Sequence, residues 1–195
     1  MITKVNDIDL KIISLFTKGY NKEYYIREVD QLLGISSRTA FMTLIKLEKK
    51  GILESKIKGK IKLYSIKKSS LSKEYFLLAE QYKKIQFIEK NHLIKEILEK
   101  LDHCIEGIVI IFGSYAKGTQ KKDSDLDLFI VGKQNKIKIK EIGEKYGIEI
   151  NIKSYPITVF HKEINDDILL KEIVENHLLI KDAEDFLRSV TQWIK

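Results

Sequence analysis

Cysteine and proline are almost missing from this chain: Cys104 and Pro156 are the sole examples. A lone cysteine forms no internal disulfide and leaves a zinc finger without its ligands, so disulfide scaffolds and finger folds are excluded. One proline and ten glycines exclude collagen-like and proline-rich chains. No run of about 18 apolar residues occurs, and the first residues lack the basic-then-apolar layout of an export signal. A cytoplasmic chain with no membrane partner is the expectation. What is present, 44% hydrophobic and 32% charged residues, is enough apolar side chain for a core and excludes disorder along the whole chain. A length of 195 residues suits one ordinary domain or two small ones, and two is the reading here.

Charge is distributed unevenly. The net +7 comes from 35 Lys+Arg against 28 Asp+Glu, yet residues 1–68 hold 15 basic and 7 acidic side chains while residues 69–195 hold 20 and 21. The whole positive excess therefore lies in the first third, which points to a polyanionic partner there. A generally lysine-rich composition gives the same sum without a partner.

In that third, Ile8, Leu10, Ile12, Ile13, Leu15 and Phe16 follow Asn6 and Asp7, both good helix caps, and predict a first helix over 7–18. A second runs from Tyr25 to Leu33 and ends at Gly34, suited to a left-handed cap. A third, capped by serine, starts in Ser36-Ser37-Arg38-Thr39 and carries Phe41, Leu44, Ile45 and Leu47 at helical spacing to Gly51. The period then changes to alternation around Lys58-Gly59-Lys60, which predicts a hairpin with glycine in its turn. Eight lysines between Lys49 and Lys68 face Glu54 alone.

Through Tyr25-Ile26-Arg27-Glu28-Val29, the Ser36–Thr39 opening and Leu47-Glu48-Lys49-Lys50-Gly51-Ile52-Leu53, this stretch resembles the winged helix-turn-helix DNA-binding family. The resemblance implies a DNA-binding domain over 1–68, with helix 36–50 in a major groove and the Lys58/Lys60 wing on the backbone. Ser36, Ser37, Arg38, Thr39, Lys46, Lys58 and Lys60 are its candidate DNA contacts. Physically, a helix fits the major groove, its N-terminus and hydroxyls meet phosphates, and Arg38 can reach a guanine edge. Winged helices also serve as interaction or dimerising modules.

Residues 69–101 read as a helical connector, without glycine or proline between Ser70 and Leu101 and with a break near Lys90-Asn91. Core packing is the default reading of its apolar stripe; a linker or homodimer seam is the alternative. His92, His103 and Cys104 match no metal-ligand spacing. Beyond Pro156 the chain reads as helices near 158–163 and 166–176, a short 178–181 segment, and a terminal helix through Ile194, with Phe186 and Trp193 as core or interface residues.

The sharpest pattern lies between. Ile108 to Phe112 form a continuously apolar strand, Gly113-Ser114 follow at once and open a short helix, and Asp125 and Asp127 sit one residue apart at the start of a second apolar strand. Gly113 and Gly118 have the spacing of a phosphate-binding Walker loop, but Thr119 replaces its lysine, so that reading fails. A period of two sends both carboxylates to the same face, where they repel unless a cation or proton lies between them. Mg²⁺, with its oxygen ligands and its positions left open for phosphates, is the economical choice.

Gly-Ser-x-Ala-x-Gly followed by Ser-Asp-x-Asp-Leu resembles the nucleotidyltransferase superfamily that includes DNA polymerase beta, and its minimal members in particular. The resemblance implies an α+β fold: a mixed-sheet nucleotidyltransferase domain over 102–195, with flanking helices, behind the winged helix. It implies that Gly113 and Ser114 hold the triphosphate of an NTP, with Lys117 and Lys122 as further phosphate contacts, and that Asp125 and Asp127 bind two Mg²⁺ ions. A third carboxylate is expected on the next strand, read over 146–152, where Glu149 is the acidic residue and Asn151 shares its face. Glu149 is thus the expected third ligand or general base. The implied reaction moves NMP, with AMP from ATP as the expected case, to an acceptor by in-line displacement. The acceptor is a protein hydroxyl or a small molecule. Family members include antitoxins that adenylylate a partner toxin. The competing class is a non-enzymatic transcriptional regulator whose pocket senses NTP.

Overall fold

Local signals set the first elements of the computed structural model, which describes residues 4–191. Asn6 caps α1 (Asp7–Phe16) reciprocally: its side chain accepts from the Asp9 amide at 2.9 Å, and the Asp9 carboxylate accepts from the Asn6 amide at 3.2 Å. Helix α2 (Ile26–Leu33) ends on left-handed Gly34, and α3 (Ser37–Lys49) starts at Ser36, whose Oγ accepts from the Thr39 amide at 3.1 Å. An antiparallel hairpin follows, β1 (Leu53–Lys58) and β2 (Ile61–Ile66), and the isolated bridge Tyr24–Tyr64 ties the start of the α2 segment to it. Ile12, Phe16, Val29, Leu44, Leu47, Ile52 and Tyr64 are fully buried between these elements. A side chain of that size contributes about 2 kcal/mol on burial.

Two compact units make up the described chain, residues 4–82 and 83–191. The boundary falls within α4 (Ser70–Lys90), so the stretch read as one connector is shared between the units. In the first unit, the α4 hydroxyl of Ser72 donates to the carbonyls of Gly51 and Ile52, and Tyr20 donates at 2.8 Å to the buried Glu80 carboxylate. The expected break comes at Asn91, before α5 (His92–Leu101).

The second unit is built on a four-stranded mixed sheet. A short 3₁₀ turn (Asp102–Cys104) leads into β3 (Ile105–Ile111); then come α6 (Gly113–Lys117), β4 (Leu126–Gln134), α7 (Lys136–Tyr146) and β5 (Ile150–Tyr155). Helices α8 (Ile157–Glu163) and α9 (Ile168–Glu175), strand β6 (Leu178–Lys181) and α10 (Ala183–Thr191) complete it. Sheet order is β5-β4-β3-β6, with β4 and β5 parallel and the other pairs antiparallel. The last part of the terminal-helix reading, residues 192–194 with Trp193, lies outside the described residues.

Both faces of this sheet are covered, which explains its continuous apolar runs. Leu126, Leu128 and Ile130 pack with Val109 and Ile111 against Ile94, Ile97 and Leu101 of α5 and Ile139 of α7. Phe129, between them in sequence, meets Phe160 of α8, and Phe160 meets Phe186 of α10, each at 6.2 Å between ring centres. Asp125 and Asp127 share the odd-numbered face with Phe129, on the side of α8 and α10. Among the described residues, no helix is long and apolar enough to cross a membrane.

One candidate DNA contact is used inside the first unit. The Lys46 ammonium lies 2.5 Å from both carboxylate oxygens of Asp9, which is fully buried. Lys46 thus neutralises a carboxylate that α1 needs for its cap, a structural role beside the DNA contact expected of it. Lys46→Met leaves Asp9 buried and unpaired and is expected to lower the stability of the first unit by about 2 kcal/mol, read as a shifted urea midpoint in residues 4–82.

Candidate functional site

Helix α6 leaves the end of β3 beside the start of β4, because these strands run antiparallel. The Phe112 amide donates to the Asp127 carbonyl at 3.1 Å and locks the turn against that strand. Gly113, at φ 66°, has its Cα pressed on the Asp127 side chain: a Cβ there would lie 2.2 Å from Oδ2. Glycine is therefore required by both backbone angle and space. Ser114 follows, partly exposed, and its carbonyl accepts from the Thr119 amide at 3.0 Å to close the turn. Ser124 shapes the approach to β4, its Oγ accepting from the Lys121 amide at 2.8 Å.

Asp125 is exposed and Asp127 half-buried. Parallel pairing of β4 with β5 sets Asn151 opposite Asp127. The Asn151 amide nitrogen stands 3.3 Å from Asp125 Oδ2 and 3.4 Å from Asp127 Oδ1, so one amide donates to both carboxylates. Burial holds the Asp127 carboxyl above its usual range; the Asn151 amide pulls it down, and the Asp125 and Glu172 charges push it up.

Glu149 lies one residue before β5 and not on it. Helix α7 ends at Gly147, the Ile148 amide still bonds the Gly143 carbonyl at 3.0 Å, and β5 begins only at Ile150. Glu149 falls in that transition, exposed, its carbonyl accepting from the Leu126 amide at 2.8 Å. Among the described residues, no three His, Cys, Asp or Glu side chains are grouped to hold a metal ion. The place opposite Asp127 belongs to Asn151.

Sequence reasoning missed Glu172. Helix α9 is anchored by Asp167, which accepts from the Leu170 amide and from the Tyr155 hydroxyl at the end of β5, each at 2.9 Å. From that helix Glu172 reaches Lys117 of α6 at 2.6 Å and lies close enough to raise the Asp127 carboxyl. The Lys117 ammonium read as a phosphate contact is thus paired with a carboxylate. Lys122 is exposed on the loop between α6 and β4.

Residues 92–188 match the nucleotidyltransferase domain family. The domain match spans both α5 and β3–β6, the elements that carry the turn and the aspartate pair. Two curated relatives are each named as a component of an ATP-dependent helicase/deoxyribonuclease: one from Alkaliphilus oremlandii (strain OhILAs) is 25% identical over 176 residues, covering 78% of this chain, and one from Alkaliphilus metalliredigens (strain QYMF) is 22% identical over 173 residues, covering 76%. This chain spans 15% of the length of each. Among solved structures, a toxin-antitoxin complex with AMP-PNP is 14% identical at a TM-score of 0.33, over 53% of this chain and 86% of that one. TrmBL2, an archaeal chromatin protein, is 14% identical at a TM-score of 0.29, over 85% and 68%. Both superpose too loosely to bear on fold or function.

In the first unit the candidate DNA residues are partly occupied. Ser36 Oγ and Thr39 Oγ1 share a 2.8 Å hydrogen bond in the α3 cap, and the Ser37 hydroxyl donates to the Asp30 carboxylate. Arg38, Lys58 and Lys60 are exposed.

The Asp127 environment makes a prediction about pH. The folded chain holds that proton more tightly than the unfolded chain, so folding gains stability as pH falls through the raised value towards the ordinary carboxylate range. Asp127→Asn is expected to raise the thermal midpoint at pH 7 by about 2 °C, and the gain should vanish below about pH 4. Differential scanning calorimetry across that window checks the sign.

Proposed function

We propose that the second unit is a nucleotidyltransferase that binds an NTP, with ATP the expected one, and transfers its NMP to a hydroxyl-bearing acceptor. The observation that carries this reading is the convergence, within the matched domain, of the Gly113-Ser114 turn on the Asp125/Asp127 pair. Two carboxylates on one face, with oxygen donors and one exposed side, fit a divalent cation such as Mg²⁺. When bound, that cation supplies neutralisation of phosphate charge.

The chain's own residues then have separate tasks. Backbone at Gly113 and Ser114 lies against the phosphates, since glycine lets them approach closely. Lys117 and Lys122 add positive charge beside the phosphates, Lys117 with Glu172 still its partner. Asp125 and Asp127 hold the cation, and Glu149, exposed beside β5, accepts the acceptor's proton. The acceptor is a protein, with a partner toxin as one candidate, or a small molecule.

The first unit serves as a winged helix that binds DNA, through Arg38 at the start of α3 and through Lys58 and Lys60 at the hairpin tip. Ser36, Ser37 and Thr39 shape the α3 terminus that presents Arg38. The competing reading is a non-enzymatic transcriptional regulator that senses NTP. Asn151 favours it, because an amide beside the aspartates accepts no proton.

Full-length protein incubated with labelled ATP, Mg²⁺ and cell lysate is expected to label an acceptor. Asp125→Asn combined with Asp127→Asn should cut that labelling at least ~100-fold while circular dichroism stays unchanged; labelling that persists in the double variant dismisses the site. For DNA, Lys58→Ala with Lys60→Ala is expected to reduce the magnitude of the log K against log salt slope by about 2. Fluorescence anisotropy at several salt concentrations measures it, and an unchanged slope removes the hairpin tip from the interface.

A further inference from the structure

We infer that the aspartate pair holds one divalent cation per bound nucleotide, and that Asn151 is the residue that limits it to one. This rests on the reading of the second unit as a nucleotide site.

The argument begins with charge. Asp125 and Asp127 together carry −2, which one divalent ion cancels. The phosphate oxygens of a bound nucleotide are shared with that first ion, so a second ion held by the chain needs a further anionic side chain beside the pair. The strand position facing Asp127 is filled by Asn151, neutral in every protonation state, with its amide nitrogen 3.3 and 3.4 Å from the two carboxylates. Glu149 lies one residue before β5, is exposed, and does not occupy the strand position opposite Asp127. Glu172 is on hand but spends its charge on Lys117 at 2.6 Å.

Asn151 also explains how the pair persists when no cation is bound. An amide group has two N–H donors, one for each carboxylate, and so reduces their repulsion without adding charge. An aspartate at that position would set three carboxylates together, which is tolerable only with more cation. Asn151 is thus a positioning residue that keeps two acids aligned, and its cost is the loss of the anionic donor a second ion requires.

The test is a count of bound ions. Full-length protein is titrated with Mn²⁺ in the presence of saturating β,γ-imido-ATP, and bound Mn²⁺ is read by electron paramagnetic resonance, with nucleotide-only samples subtracted. One ion per chain is expected for the wild type, two for Asn151→Asp, and none for Asp125→Asn. Two ions in the wild type overturn the inference, as does an unchanged count of one in a folded Asn151→Asp variant. Should Asn151→Asp fail to fold, the same count on Asn151→Glu decides: two ions support the inference, and one overturns it. Absence of any β,γ-imido-ATP binding, measured by calorimetry, instead overturns the nucleotide-site reading on which the inference stands.

Discussion

Two acids side by side at the end of a strand repel each other, and the second unit is organised around that repulsion. Parallel pairing of β4 with β5 brings Asn151 to the pair, and antiparallel pairing of β3 with β4 brings the Gly113 turn to its other side. Neither neighbour carries charge. Relief comes from a shared amide and from the half-exposed position of the pair, which leaves one side open to solvent. Lys117, the nearby cation of α6, is turned to Glu172. The aspartate pair therefore keeps its negative charge on the side open to solvent.

The first unit handles its charge in the opposite way. Its basic excess is large, but part of it is absorbed internally: Lys46 on buried Asp9, Lys62 on Glu48 at 2.7 Å, and Lys56 on Glu23. Glu48 is held below the ordinary carboxylate range chiefly by the Lys62 ammonium and then by the Ser55 hydroxyl. Positive charge stays on display at Arg38, Lys58 and Lys60, at the start of α3 and the tip of the hairpin. A net charge summed over the sequence overstates what a polyanion would meet, because pairing is a property of the fold.

What could be read from the sequence was local. Ser36 as a cap, Gly34 as a helix end, the hairpin around Gly59 and the break at Asn91 all depend on residues within a few positions of one another, and the structure has each of them. The aspartate pair was legible for the same reason, since a period of two fixes its face. Register between strands is not local. Gly147 and the Ile148 amide hold the chain to α7, so β5 starts at Ile150 and not at Tyr146, and Asn151 faces Asp127. Glu172 and the Lys46–Asp9 pair were invisible because each joins residues far apart in sequence, on helices whose mutual placement depends on core packing. A carboxylate on an amphipathic helix reads as solvated until the fold gives it a neighbour.

The contact between Gly113 and Asp127 has a bearing on how this chain can change. Any side chain at 113 would press on the Asp127 carboxylate and force it to move. The two positions are mechanically coupled, so a side chain acquired at 113 spoils the pocket wall and displaces its acid in one step.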